Sequence, residues 1–232
     1  MRIIGLLSWY EEPAPWLAEC VSALAGLCDH VVAVDGPYAL FPGAVRTPAS
    51  GSEQADTIAH VAAGAGMGCT IHVPRQPWWG NEVAKRDFMV QLAMTMAEPG
   101  VDWLLRVDAD EVFTQVPGDT RKALAGTDLD VAEVTMWERG GDQPDGQFPL
   151  RCLFRALPGI RVQQAHYVVT VPAAGGGTRV LVGNETVHQA VPALPLWDVR
   201  LEHRTRHRPA ARRALKERYY AQLPEIEQVR EL

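Results

Sequence analysis

The stretch WLLRVDADEVF, residues 103–113, decides how this chain is read. Its apolar start reads as a buried strand. It then runs into Asp108, Asp110 and Glu111, whose carboxylates repel one another. In parallel α/β sheets, ligands bind outside the carboxyl ends of the strands, so acids at a strand end sit where a ligand would. Residues i and i+2 of an extended segment point the same way, and Asp108 and Asp110 are therefore expected to converge. Two close carboxylates either share a proton or hold a cation. A hard divalent ion, Mg²⁺ or Mn²⁺, prefers oxygen ligands and needs few from the protein when a phosphate supplies the rest. Arg106 points to the same side but deeper. The plainer alternative is a surface turn in which the acids cap the next element.

The flanking chain supports a strand in an α/β context. RIIGLLS, residues 2–8, is a short apolar run that predicts a first strand. Pro13 or Pro15 suits a first helical turn. Trp16, Leu17, Cys20, Val21, Leu24 and Leu27 then recur as one face of a helix. VVAVDGP, residues 31–37, is a β-branched strand that stops at Asp35. Strand, helix and strand make a βαβ unit with a parallel pair. CTIHVPR, residues 69–75, predicts a third strand. A helix over 81–97 follows the Trp78-Trp79-Gly80 loop, with Val83, Phe88, Leu92 and Met96 facing inward. Lys85 and Arg86, near its start, are placed to reach phosphate oxygens on the acidic rim, or else to lie on a solvated face. Trp78 and Trp79 either offer an aromatic surface to a sugar or base, or pack beneath the loop.

Beyond residue 115 the pattern becomes more antiparallel. VAEVTMWER (131–139), LRCLFRA (150–156), IRVQQAHYVVTVP (160–172) and TRVLVGNETVHQA (178–190) predict strands, and residues 209–231 a helix. The expected organisation is a single domain: a nucleotide-binding half over 1–115, an acceptor half over 116–208 and a C-terminal helix over 209–232.

Composition narrows the function classes. The 232 residues are 47% hydrophobic and 22% charged, which is ordinary for one globular domain. Cys20, Cys28, Cys69 and Cys152 form no CxxC pair, so free thiols in a reducing compartment are expected. The apolar run at the N-terminus is too short for a signal peptide, and no segment approaches a membrane span. A cytoplasmic protein is expected. The net charge of −6 argues against a surface coated for nucleic acid, although RLEHRTRHRPAARRALKER, residues 200–218, is locally basic and could meet a phosphate-rich partner.

Taken together, RIIGLLSWYEEPAPWLAECVSAL, HVVAVDGP, NEVAKRDFMVQLA and LLRVDADEVF resemble, in order and spacing, the family 2 glycosyltransferases over about residues 1–115. The resemblance implies a GT-A fold, a Rossmann-like sheet with a mixed second half. It implies transfer of a sugar from a nucleotide diphosphate donor, most simply a UDP-sugar, with inversion and a divalent cation. Asp108 and Asp110 would hold the metal and the donor diphosphate, and Asp35 would contact the ribose or base. Ser8, Tyr10 and Glu12 would line the nucleoside pocket, with Lys85 or Arg86 near the phosphates. Where the family often shows two acids after the second strand, this chain has Asp35 followed by Gly36-Pro37.

LRCLFRALPGIRVQQAHY, residues 150–167, resembles the family more loosely. A histidine of the second half would complete the metal site: His203 or His166 ahead of His188. Inversion requires a base for the acceptor hydroxyl, and Glu138, Asp142 and Asp145 are the candidates. Asp142 and Asp145 lie in a Gly/Pro-rich loop where acids are often turn formers.

The acceptor is left open between a saccharide or small molecule and DNA carrying hydroxymethylated bases, as for some bacteriophage enzymes, in which case the site of action is the host cytoplasm. A nucleotidyltransferase of the same fold is a rival, but the loop after the first strand, SWYEEPAPW, is acidic where a triphosphate loop would be basic. A non-catalytic sugar- or nucleic-acid-binding module is a second rival, and it would be expected to lack the acidic pair.

Overall fold

The computed structural model describes residues 1–38, 41, 47–78, 82–140, 144–164, 168–183, 185–208, 210–211, 213–218 and 221. β1 (Ile3–Ser8) is followed by α1 (Ala14–Leu24), β2 (His30–Val34), α2 (Ser52–Gly64), β3 (Gly68–His72), α3 (Glu82–Met94) and β4 (Trp103–Asp108). Next come β5 (Glu111–Gln115), α4 (Thr120–Gly126), β6 (Val131–Glu138) and β7 (Gly146–Arg155). β8 (Arg161–Gln164), β9 (Val168–Pro172) and β10 (Thr178–Val182) precede α5 (Glu185–Ala190), β11 (Leu194–His203) and a 3-10 turn at Thr205–His207.

The protein is α/β, built on an eight-stranded mixed sheet in the order β3-β2-β1-β4-β7-β6-β11-β5, with a second sheet β10-β9-β8. β3, β2, β1 and β4 run parallel. β7 is antiparallel to both β4 and β6, while β11 is parallel to β6 and antiparallel to β5. Ile3 to Leu7 of β1 are all buried, as expected for a parallel strand covered on both faces. One face packs Ile3, Leu7, Trp103 and Leu105 against Leu17, Cys20, Val21 and Leu24 of α1. The other packs Ile4, Leu6 and Leu104 against Met89, Val90 and Ala93 of α3.

Several elements differ from the sequence reading. WLLRVDADEVF is two strands, not one. β4 lies beside β1, whereas β5 lies at the far edge beside β11. Asp110 therefore sits in the turn and not on an extended segment with Asp108. Glu111 closes that turn by accepting the Asp108 backbone N–H at 2.8 Å. β5 carries residues of the first half to the far side of the second, so the sheet has no break near residue 115. β11 has no counterpart in the predicted elements, and 178–190 is a strand followed by α5. Residues 160–172 form β8 and β9, with 165–167 outside the described residues. α3 buries Val83, Met89, Val90 and Ala93 together with Glu82, Lys85 and Arg86, while Phe88, Leu92 and Met96 are only partly buried. The described residues 210–211, 213–218 and 221 are helical.

Cys20, Cys28, Cys69 and Cys152 are free thiols. Among the described residues no helix is long and apolar enough to cross a membrane.

After β2 the chain turns at Gly36, with φ +100°. A Cβ there would lie 2.6 Å from Pro74 Cγ and 2.8 Å from the Pro48 carbonyl oxygen. Gly36→Ala is expected to cost roughly 1–3 kcal/mol in strain. Urea unfolding measures it, and an unchanged midpoint would count against the crowding.

Candidate functional site

Two registers set the site. Ser8 at the end of β1 lies beside Val34 of β2 on one side and Asp108 of β4 on the other. The order β2-β1-β4 reverses direction here, and ligands favour the crevice outside such a switch point. A cleft opens at that place. The chain after β1 lines it with Ser8, Tyr10 and Glu12, α3 with Lys85 and Arg86, and the β4–β5 turn with Asp108 and Asp110. These are residues singled out from the sequence. The sequence reading missed Tyr38, Phe41, Arg208 and Lys216, which also line the cleft.

Asp35 does not line it. Its carboxylate is buried and accepts from the backbone N–H of Gly36 at 2.6 Å, from Ser50 N–H at 2.6 Å and from the Ser50 hydroxyl at 2.7 Å. The Ser50 Oγ also accepts the backbone N–H of Glu11, the one described non-glycine residue with positive φ, at 51°. Asp35 thus anchors the loop that holds the strained turn after β1. Tyr38 and Phe41 are half-buried at the cleft and Tyr10 is buried behind them: the Phe41 ring meets Tyr10 edge-on at 5.2 Å and Tyr38 at 5.1 Å.

Lys85 is a clip. Its Nζ donates to the carbonyls of Trp9 at 2.6 Å and Gly36 at 2.7 Å, tying together the ends of β1 and β2. Burial pushes its pKa down to about 7, against the pull of Asp35. Trp78 supports the same place, donating from Nε1 to the Asp35 carbonyl at 2.8 Å and packing on Phe88. Trp79 lies outside the described residues.

The acids are each met by a guanidinium. Asp108 faces Arg86 at 3.1 and 3.4 Å. Burial pushes the Asp108 carboxyl up, but Arg86 and Arg106 outweigh it and hold it at about 2. Asp110 Oδ2 accepts from Thr205 Oγ1 at 2.8 Å and from Arg208 Nε at 2.9 Å, and His203 Nε2 lies 3.6 Å away. Burial is again overridden, by His203 and Arg208, and Asp110 titrates well below the usual range. Arg208 spans on to Glu12 at 2.9 and 3.0 Å and stacks 5.5 Å from the Trp16 ring. These pairs link the loop after β1, the β4–β5 turn and the C-terminal segment.

His203 stands between two neighbouring strands, opposite Glu138 of β6 and Glu111 of β5. Its Nδ1 is 3.0 Å from Glu138 Oε1, and Glu138 Oε2 is 3.3 Å from Arg206 Nη2. Burial alone would lower the imidazole, but Asp110 raises it to about 9. Of the other candidates, Asp142, His166 and the His188 side chain lie outside the described residues. Asp145 accepts the backbone N–H of Gly140 at 3.2 Å and is exposed.

Among the described residues of the basic segment 200–218, Arg204, Arg206 and Arg208 face acids of the chain, whereas Arg200, His207 and Arg218 are exposed. Arg204 pairs with Glu19 and Glu202, Arg206 with Glu138, and Arg208 with Glu12 and Asp110. Arg200 lies 5.5 Å from the Trp137 ring, and Lys216 donates to Thr205 at 3.1 Å.

To hold a divalent ion the acids at the mouth would have to give up these partners, because Asp110 Oδ2 already accepts from Thr205 and Arg208 and His203 keeps its proton beside it. Asp108, at the same mouth, faces Arg86. Among the described residues no three His, Cys, Asp or Glu side chains form a ready cage, so water and phosphate would have to supply the rest, as Mg²⁺ and Mn²⁺ allow.

Compared with protein-family models and with curated proteins, the chain matches none.

Proposed function

We propose that this protein is a GT-A glycosyltransferase that moves a sugar from a nucleotide diphosphate donor, a UDP-sugar in the simplest case, to a hydroxyl acceptor with inversion, using Mn²⁺ or Mg²⁺. The observation that carries this reading is the meeting of Ser8, Tyr10, Glu12, Arg86, Asp108 and Asp110 in one cleft at the switch point. The strand order β3-β2-β1-β4 followed by antiparallel β7 accords with a Rossmann-like first half and a mixed second half.

Charge favours a metal-dependent reaction. The cleft is lined by Lys85, Arg86, Arg208 and Lys216 against Glu12, Glu82, Asp108 and Asp110. With Lys85 lowered to about 7, the lining carries no surplus positive charge, so a diphosphate brings negative charge that it does not offset. Asp108 and Asp110 would hold the ion by exchanging their guanidinium partners for it. When bound, it would act as a Lewis acid toward the departing diphosphate. Arg86 and Lys216 would attract the phosphates by charge. Tyr10, Tyr38 and Phe41 would pack the nucleobase. A carboxylate of the acceptor half would take the proton from the acceptor hydroxyl, and the segment between β6 and β7 supplies Asp142 and Asp145.

The inward pairing of Arg204, Arg206 and Arg208 favours a saccharide or small hydroxyl acceptor over modified DNA, because those guanidiniums already face acids of the chain. Against a nucleotidyltransferase stands the acidic loop after β1, where Glu12 engages Arg208 and no basic triphosphate cradle forms.

The test is a thermal-shift series with UDP-, GDP- and TDP-sugars, each with and without Mn²⁺. A donor at about 100 times its Kd is expected to add ~2.7 kcal/mol of stability. It should be followed by release of the nucleoside diphosphate. No shift and no release with any donor would defeat the reading.

A further inference from the structure

We propose that Ser50 is a positioning residue for nucleoside binding: its hydroxyl, held by Asp35, fixes the turn at Glu11 and so sets Tyr10 and Glu12 in the cleft wall. The inference rests on the transferase reading and says how that site presents its nucleoside-binding wall. It does not depend on the cation.

The run after β1 changes direction at one residue. Ser8, Trp9, Tyr10 and Glu12 line the cleft, whereas Glu11 between them is exposed and has φ 51°. A Cβ disfavours that left-handed conformation. The turn that aims Tyr10 and Glu12 therefore has to be held by something beyond Glu11 itself.

The holder is a relay through one hydroxyl. Ser50 Oγ accepts the Glu11 N–H at 2.8 Å and donates to Asp35 Oδ1 at 2.7 Å. The donation fixes the hydroxyl rotor and leaves a lone pair for Glu11. Asp35 is 1% exposed and also accepts the N–H groups of Gly36 and Ser50, both at 2.6 Å. The relay is thus anchored on a buried carboxylate at the end of β2. On its other side Ser50 stands just before α2, which buries Ile58 and Ala62 in the core.

Tyr10 is tied to the same segment, its hydroxyl donating to the Thr47 carbonyl at 2.9 Å. Residues 47–50 therefore brace both Tyr10 and Glu11. Ser50 is not among the residues that line the cleft, so it acts on a nucleoside through the turn. Asp35 acts in the same way, one hydrogen bond further back.

The experiment compares Ser50→Ala, Ser50→Thr, Glu11→Gly, Glu11→Val and the double variant Ser50→Ala/Glu11→Gly in the full chain. The probe is whichever of UDP, GDP and TDP the wild type binds, titrated calorimetrically without added metal and with Mn²⁺. Turnover of the matching nucleotide-sugar gives KM and kcat separately. Ser50→Ala is expected to weaken the nucleotide about tenfold, the fold-change of roughly one hydrogen bond. KM should rise while kcat stays within about threefold, since the lost binding is common to ground and transition states. Threonine keeps the hydroxyl, and its affinity should stay within about threefold of wild type.

Glycine adopts positive φ without steric cost. Glu11→Gly in the Ser50→Ala background is therefore expected to restore affinity to within about threefold of wild type, a coupling that a merely structural serine would not show. Valine is the converse, because a β-branched residue strongly resists positive φ. Glu11→Val is expected to weaken the nucleotide several-fold with Ser50 intact, and it serves as the reading if Ser50→Ala does not fold.

Wild-type affinity in Ser50→Ala or in Glu11→Val would overturn the inference and leave the transferase reading standing. A double variant as weak as Ser50→Ala alone would do the same. Wild-type protein that binds none of the three nucleotides would remove the transferase reading and the inference with it.

Discussion

Asp110→Ala is expected to lower the unfolding free energy by roughly 3–5 kcal/mol, the cost of breaking a buried ion pair by deleting one partner. The Asp110 side chain is 3% exposed and Arg208 is 9% exposed. Removing the carboxylate takes the acceptor from the Arg208 Nε and the Thr205 hydroxyl, and leaves His203 with Glu138 as its directly paired carboxylate. Glu12 still holds Arg208 Nη1, so the loss should fall toward the lower end of that range. In a chain of this size 3 kcal/mol corresponds to roughly 10 °C in Tm.

Asp108→Ala is the comparison. Its side chain is 27% exposed, and Arg86 keeps Glu82 at 3.5 Å after the change. The smaller burial predicts a loss of about 1 kcal/mol. Urea titration of both variants decides the matter. Equal losses would mean that the Asp110–Arg208–Glu12 chain carries no special stability, whereas both variants should lose nucleotide-sugar turnover if the proposed reaction is right.

The second large effect concerns pH. His203 has its folded pKa raised to about 9 by Asp110, against burial, while an unfolded histidine titrates near ~6.5. A group raised on folding adds stability in its protonated form. The contribution is whole below about pH 6.5 and is lost as pH rises through about 9. The gap corresponds to roughly 3 kcal/mol as an upper figure.

Lys85 acts in the opposite sense. Its folded pKa is lowered to about 7, so the unfolded state binds more protons above that pH and stability rises as pH rises from about 7 towards the ordinary lysine value. The two trends overlap between pH 7 and 9 in the wild type. His203→Asn removes one of them. Its stability deficit against wild type should be largest at pH 6 and should shrink toward pH 9. A deficit independent of pH would show that Asp110 does not raise the imidazole.

Much of the architecture could be read from local chemistry. β1, β2 and β4 are apolar runs without polar interruption because parallel strands are covered on both faces. The α1 face, Leu17, Cys20, Val21 and Leu24, repeats at helical spacing and is preceded by Pro13. β11 escaped notice because a bulge between Leu196 and Arg200 breaks its alternation. The turn inside WLLRVDADEVF escaped because it contains neither Gly nor Pro, and Val112 and Phe113 continue the apolar pattern beyond it. The resemblance asks for a histidine of the second half without saying which, and position in the sequence prefers His203 or His166 without separating a ligand from a solvated imidazole.

Hydrophobic periodicity and strand-end acids are short-range signals, written within a few residues of where they act. They set the βαβ start and the rim on which Ser8, Lys85, Arg86, Asp108 and Asp110 gather. The partner of each charge is a long-range matter. Arg208 lies 196 residues from Glu12 and 98 from Asp110, and only chain closure brings its fork between them. The same closure turns Arg204, Arg206 and Arg208 toward acids of the chain and sets Glu138 beside His203, while Asp35 is taken up by Ser50 of the loop that follows it. Electrostatic pairing depends on distance in space, and no pattern along the chain encodes that distance.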